Sequence, residues 1–167
     1  MTIDLRDKAA VERKLWTEIG DTGFGMLATV GGAQRHFQPM TAFCEPESGQ
    51  IWFYAHDTSE LATAAQGGAE AMFVFVSRDR ELQASIRGEL RTTLDELHRD
   101  KYWSSTVAAW FHKGKNDPNL IMLCLDCKDT MVWISEEGGA KVAWEIARAN
   151  LTGANPNIGG KATLNLG

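Results

Sequence analysis

Apolar residues recur at spacings of three and four between Asp4 and Ile19, where Leu5, Ala9, Val11, Leu15, Trp16 and Ile19 gather on one side of a helix. The pattern predicts an amphipathic helix over about 4–19, with Asp4 as its N-cap and Gly20 as its stop. From Gly23 the period drops to two. Phe24, Met26, Ala28 and Val30 share a face, Gly31-Gly32 supplies a turn, and His36 to Phe43 and Ile51 to Ala55 follow, which predicts a three-stranded antiparallel meander. Thr58 to Ala65 reads as a short helix capped by Thr58 or Ser59 and closed by Gly67-Gly68. Strands are predicted at Ala71 to Ser77 and Leu82 to Thr93, the second alternating Leu82, Ala84 and Ile86 with Gln83, Ser85 and Arg87. Helical patterning returns at Leu94 to Arg99 and Trp103 to Phe111. A loop over 113–118 precedes a last pair of strands, Leu120 to Asp126 and Met131 to Ser135, and a final helix covers about Ala140 to Ala149. The tail over about 152–167 carries weak structural signals. Six or seven strands with helices set between runs of them predict a mainly β fold, a closed or partly closed antiparallel barrel with helical additions.

Composition narrows the class. A chain of 167 residues with 44% hydrophobic and 23% charged positions is expected to fold as a single globular domain over 1–167. The longest uncharged apolar run, Leu120 to Leu125, is far below the ~20 residues of a membrane-spanning helix. Met1 to Ala10 carries Asp4, Arg6, Asp7 and Lys8 where a signal peptide needs an apolar stretch, so a cytoplasmic protein without a membrane partner is expected. A net charge of −5 with no long basic block argues against a nucleic-acid partner. Three cysteines fit free thiols better than a disulfide framework.

No dinucleotide-binding glycine fingerprint, phosphate loop or nucleophile elbow is present. Cys124-Leu-Asp-Cys127 has CxxC spacing, but on a strand its two thiols point to opposite faces and read as ordinary core or edge cysteines. The histidines His36, His56, His98 and His112 have no ligand-pair spacing, so no metal site is expected. What remains is His36-Phe-Gln-Pro-Met-Thr41 on one strand, Trp52-Phe-Tyr-Ala55 on the next, and Asp57-Thr-Ser59 where that strand turns into a helix. Hydroxyls and free amides at a helix start suit an anion such as phosphate, and a neighbouring strand edge offers a planar heterocycle donors and acceptors at fixed spacing. The residues alone favour the plainer reading, in which Phe37, Trp52 and Tyr54 fill a barrel and Thr58-Ser59 cap a helix.

The order Q-P-M-T, W-F-Y-A, T-S-x-L, F-V-S-R-D-R-E-L-Q-A-S-I-R-G-E-L and W-S-S-T-V-A-A-W-F-x-K-G-K-N-D-P, running from about Leu5 to Ile134, resembles the general stress protein 26 group. That group belongs to the pyridoxamine 5′-phosphate oxidase-like, FMN-binding split-barrel superfamily. The resemblance implies a homodimer of split β-barrels with FMN, or alternatively FAD or another flavin, in grooves at the dimer interface. Carried over by position, it assigns His36, Phe37, Gln38, Pro39, Met40 and Thr41 to the isoalloxazine and ribityl region. Phe53, Tyr54 and Ala55 would meet the flavin from the adjoining strand, Thr58 and Ser59 the phosphate, and Trp110, Lys115 and Asp117 would lie near the partner's flavin. Two positions depart from the family pattern: Gln38 stands where many relatives have arginine, and Leu61 where many have lysine. The phosphate would then rely on Thr58, Ser59, backbone amides and Arg35, Lys115 or Lys161. The function implied is an FMN-dependent oxidoreductase acting on a small molecule, with a nicotinamide donor as one option. A non-catalytic flavin binder or stress sensor, and a barrel that has lost its cofactor, stand as alternatives, and no catalytic side chain is assigned.

Overall fold

The structure, a computed structural model, describes residues 4–32, 36–135 and 139–167, and of 139–141 the backbone alone. Helix α1 runs Lys8–Thr22; Asp7 caps it, its carboxylate accepting from the Ala10 amide. It therefore starts one turn later than predicted and passes through Gly20. The stop is Gly23, which at φ 73° takes the left-handed conformation that glycine adopts without steric cost and returns its amide to the Ile19 carbonyl.

Strands β1 (Phe24–Thr29), β2 (Gln38–Thr41), β3 (Phe43–Glu45), β4 (Gln50–His56), β5 (Ala69–Val76), β6 (Leu82–Thr93), β7 (Leu120–Ile134) and β8 (Gly160–Asn165) form one antiparallel sheet. Its order is β2-β1-β5-β6-β7-β4-β3, with β8 beside β7. The predicted meander is thus two hairpins: β2 bonds to β1 and β3 bonds to β4. Between β2 and β3 stands Ala42, buried, its amide donating to the Gly23 carbonyl. Two strands at opposite ends of the sheet order are one residue apart in the chain, so the sheet must curl until its edges meet. They meet without a ladder, which makes the barrel split.

The predicted last pair of strands is one strand. β7 follows β6 along its length while its other edge changes partner, β4 over Leu120 to Asp126 and β8 over Asp129 to Ile134. The gap between the two predicted strands is a bulge: the register shifts between Ile86 and Gly88, leaving Arg87 opposite Lys128 and Asp129. The tail, expected to be weakly structured, supplies β8 as an eighth strand, seating Ala162, Leu164 and Leu166 in the core.

Short helices α2 (Glu60–Ala64), α3 (Glu96–Lys101) and α4 (Ser105–Ala108) and the longer α5 (Gly139–Thr152) complete the chain. Inside the barrel, Ile51, Phe53, Phe73, Phe75, Ile86, Leu123 and Leu125 pack with Val11, Leu15, Trp16 and Ile19 of α1. A second core lies on the other face of β4 and β7, where Trp52, Met122 and Cys124 meet Val107 and Phe111. Burial on both faces explains why Leu120 to Leu125 is apolar throughout instead of alternating. Cys124 and Cys127 serve opposite cores, as their spacing predicts, and burial raises the thiol pKa of both, which keeps them poor nucleophiles. Among the described residues no helix is long and apolar enough to cross a membrane, and no group of His, Cys, Asp and Glu is placed to hold a metal ion.

Two glycine substitutions should shift stability in opposite directions. Gly20, exposed in α1 with nothing near its missing side chain, should gain about 0.5–1 kcal/mol as alanine. At Gly88 a Cβ would lie 2.1 Å from the Asp126 carbonyl oxygen, so Gly88→Ala should cost about 1–3 kcal/mol. Urea unfolding midpoints measure both.

Candidate functional site

The split leaves backbone unpaired on both of its sides. β3 covers Gln50 to Trp52 of β4, so Phe53 to His56 has a strand on the β7 side and none on the other. β2, at the end of the sheet order, has β1 on one side only. A proline is tolerated in such an edge, and Pro39 occupies it. Between these edges lies a groove of about 460 Å³. Pro39, Met40 and Thr41 form one wall and Tyr54, Ala55 and His56 the floor. Ser104, Thr106, Val107, Trp110 and Phe111 of the α4 segment form the other wall, with Phe43 at one end.

The α3–α4 segment is held on β4 by aromatic and polar contacts. The Tyr54 hydroxyl donates to the Arg99 carbonyl, and the His98 ring stacks on Trp52 with centroids 3.7 Å apart and planes 8° apart. Glu45 accepts from both Lys101 and the Tyr102 hydroxyl, which hold its carboxyl below the usual carboxylate range. His98 lies between two carboxylates, 3.0 Å from Asp95 and 3.8 Å from Glu45. Phe43 stacks on Tyr102 at 4.8 Å and meets Tyr54 edge-on at 5.6 Å. Burial pushes the Tyr54 phenol up to about 12, so at neutral pH it is a hydrogen-bond donor and not a base. The groove therefore has a rigid floor, apolar walls and hydroxyl groups at its rim.

Of the residues singled out in the sequence, Pro39, Met40, Thr41, Tyr54, Ala55 and Trp110 come together here. Phe53 does not line the groove: alternation along β4 turns its side chain into the barrel, 5.7 Å from Phe73, leaving only its backbone at the edge. Gln38 pairs with Leu27 and lines no wall, and His36 and Phe37 precede β2 and are exposed. Thr58 lines a separate concavity of about 500 Å³ with Gly31, Gly32, Thr63, Glu60 and Glu70, a lining that among the described residues holds two acidic residues and no basic one. The Ser59 hydroxyl oxygen accepts from the Ala62 amide at 3.1 Å and caps α2. Lys115 lies 3.6 Å from Asp100, and Asp117 folds its own loop by accepting from the Lys113 and Asn119 amides. Lys161 sits on β8 opposite Trp133, and Arg35 lies outside the described residues.

The sequence reading missed Phe43, His56, Ser104, Thr106, Val107 and Phe111. The period of two that puts Tyr54 on this face carries on to His56. No local pattern announces that the α4 segment folds across β4. Concavities of about 480 and 690 Å³ elsewhere lie around the β7 bulge and the C-terminus; Glu89, Lys128 and Asp129 are among their residues, and neither has the aromatic walls of the groove at the split.

The sequence profile described as pyridoxamine 5′-phosphate oxidase like matches residues 10–157. The chain belongs to this family. Among solved structures, a provisionally assigned general stress protein 26 from Jannaschia sp. CCS1 is 31% identical, with 94% of this chain and 99% of that one covered and a TM-score of 0.78. The general stress FMN/FAD binding protein from Xanthomonas citri is 34% identical over 78% of this chain and 92% of its own, with a TM-score of 0.72. A provisionally assigned general stress family protein from Xanthomonas campestris pv. campestris is 33% identical over 79% and 92%, also at 0.72. No protein with a curated description matches the sequence. The split barrel expected from the family resemblance is the fold observed, with eight strands in place of six or seven.

Trp110, 71% exposed, contributes little to folding, and Trp110→Ala should change stability by less than about 0.5 kcal/mol. Tyr54→Phe removes the bond to the Arg99 carbonyl and should cost about 0.5–1.5 kcal/mol by denaturant unfolding. A larger loss for Trp110→Ala than for Tyr54→Phe would contradict this picture of how the wall is held.

Proposed function

We propose that the chain is a flavin-binding protein that takes FMN into the groove at the split, as a homodimer, and uses it in redox chemistry on a small molecule. The observation that carries the reading is the groove itself: two unpaired strand edges facing each other across an apolar slot, walled by Met40, Phe43, Val107 and Phe111. A flavin ring is flat, apolar on its faces and polar along one edge. A pair of strand edges with aromatic walls fits that chemistry, and about 460 Å³ lies within the range of small-molecule sites. The name of the Xanthomonas citri protein, an FMN/FAD binding protein, supports the same ligand class. When bound, the flavin supplies hydride and electron chemistry, so the polypeptide need only position it and exclude side reactions. On this reading Met40, Thr41, Tyr54 and Ala55 hold the ring. The exposed Pro39, Thr41, His56 and Trp110 at the rim leave it reachable by a second small molecule.

Pairing of two chains is supported by the outward face of the sheet. Met26, Val74, Ser85 and Met131 form one cross-strand row and Val76, Gln83 and Trp133 the next, so apolar side chains outnumber polar ones on the face turned away from the barrel core. Val76 is 49% and Trp133 42% exposed. An antiparallel sheet facing water normally carries mostly polar residues there, and exposed apolar side chains gathered on such a face support an interface.

Titration with FMN, followed by quenching of its fluorescence, should show saturable binding with one flavin per chain. Full fluorescence at high protein concentration would overturn the reading. Reduced nicotinamide added anaerobically to the loaded protein should bleach the flavin absorbance, whereas a stable yellow colour would leave a binder without the redox role. Val76→Asp, at an exposed position, should leave the fold intact and convert a dimer to a monomer in sedimentation; a wild-type monomer would remove the pairing proposal.

A further inference from the structure

We infer that α5 is a docking arm: its exposed apolar side packs on a second copy of this chain and extends the interface that begins on the outward face of the sheet. The inference rests on the pairing proposed above and adds to it a second element and the side chains that make the contact.

α5 turns to its own chain the side that a globular protein normally turns to water. Ala143, Trp144, Ile146, Ala147 and Leu151 recur at spacings of three and four and share one side of the helix, with Asn150 the one polar residue among them. All six are exposed, Trp144 at 67% and Leu151 at 87%. Val142, Glu145, Arg148 and Ala149 form the other side and are half-buried. There the Glu145 carboxylate accepts from the Arg148 guanidinium at 2.7 Å and from the Asn157 amide at 3.0 Å, which ties α5 to itself and to the segment after it. From Val142 to Thr152 no residue is buried. Isolated helices below about 12–15 residues are marginal in water, and a helix of this length draws its stability from burial of an apolar stripe. α5 has that stripe, and its own chain leaves it uncovered.

The place where α5 is tied down points to what covers it. It follows β7, whose Trp133 stands on the outward face, and the segment after it returns beside the same residue. Pro156 and Ile158 line a concavity of about 350 Å³ with Trp133 and Gln83. The Ser135 hydroxyl donates to the Ile158 carbonyl at 2.8 Å and closes the base of the arm. Apolar surface therefore runs from Val76 and Trp133 through Pro156 and Ile158 to the base of α5.

The size of the sheet face agrees. Its two cross-strand rows hold four and three residues, whereas a stable pair of chains joins about 20–30 on each side. A two-fold pair presents the same patch twice, which sets an arm at the rim of one copy's face against the other copy. A lipid surface fits less well. Helices that lie on membranes carry free lysines and arginines on their polar face, whereas Arg148 pairs with Glu145 and the protein has a net charge of −5.

The test is sedimentation equilibrium of the full-length protein and of a variant carrying Trp144→Gln and Leu151→Gln. Both positions are exposed and glutamine is a good helix former, so far-UV circular dichroism should not change. The wild type should pair, and the substitutions should raise the dissociation constant of the pair by about tenfold or more. A smaller rise overturns the inference, while pairing through the sheet face stands. A wild type that stays monomeric overturns both, and if that monomer sediments with phosphatidylglycerol vesicles, the stripe is a lipid anchor instead. Should the variant lose helical signal, amide exchange in the wild type decides: Ala143 to Leu151 should exchange more slowly in the paired protein than in protein diluted to monomer, and equal rates would overturn the inference.

Discussion

Ala42 is the single residue between β2 and β3, strands that stand at opposite ends of the sheet order. That covalent link forces the sheet to curl, because an open twisted sheet would hold those ends several strands apart. The seam it creates cannot zip. β2 is committed to β1, β3 to β4, and β3 is too short to cover the second half of β4. Unpaired amides and carbonyls at a sheet edge need a partner, and in a monomer that partner is water or a ligand. The groove follows from this topology before any particular side chain is considered.

Side chains then decide what the groove can hold. Alternation along β4 sends Phe53 into the barrel and Tyr54 and His56 outward. The α3–α4 segment roofs the outward face through Tyr54, the Trp52–His98 stack and the Glu45–Lys101–Tyr102 cluster. Most of these contacts lie outside the groove and make its wall rigid, which lowers the ordering cost a ligand meets on binding. The proposed function places the chemistry in the ligand and the geometry in the protein, and no shifted acid, base or nucleophile is required of the lining.

Much of the architecture was legible because it rests on local signals. The amphipathic stripe of α1, the alternation of β6 and the apolar run of β7 each survive into the structure. The boundaries that slipped are those where a local signal had a tertiary competitor. Gly20 looked like a stop, but packing of Ile19 carried α1 on to Gly23. The residues between the two predicted strands, Cys127 to Thr130, carried no strand signal, yet they continue β7 through a bulge where it exchanges β4 for β8. The tail had no period strong enough to declare β8, which exists because β7 offers it an open edge. At the site, the strand residues from Pro39 to Thr41 and Tyr54 to Ala55 were found from the sequence and the family resemblance together. His56 and the α4 wall were not, because their approach to β2 is set by the curl of the sheet and not by spacing along the chain.

Amide hydrogen exchange of the full-length protein with and without FMN tests the central claim most directly, since the claim concerns backbone groups at the seam. The account predicts that FMN slows exchange at Met40 and Thr41 of β2 and at Tyr54 to His56 of β4, with little change at Gly68 to Glu70 or at the β7 bulge. Protection confined to those distant concavities, or none at the two edges under conditions where the flavin is bound, would contradict it.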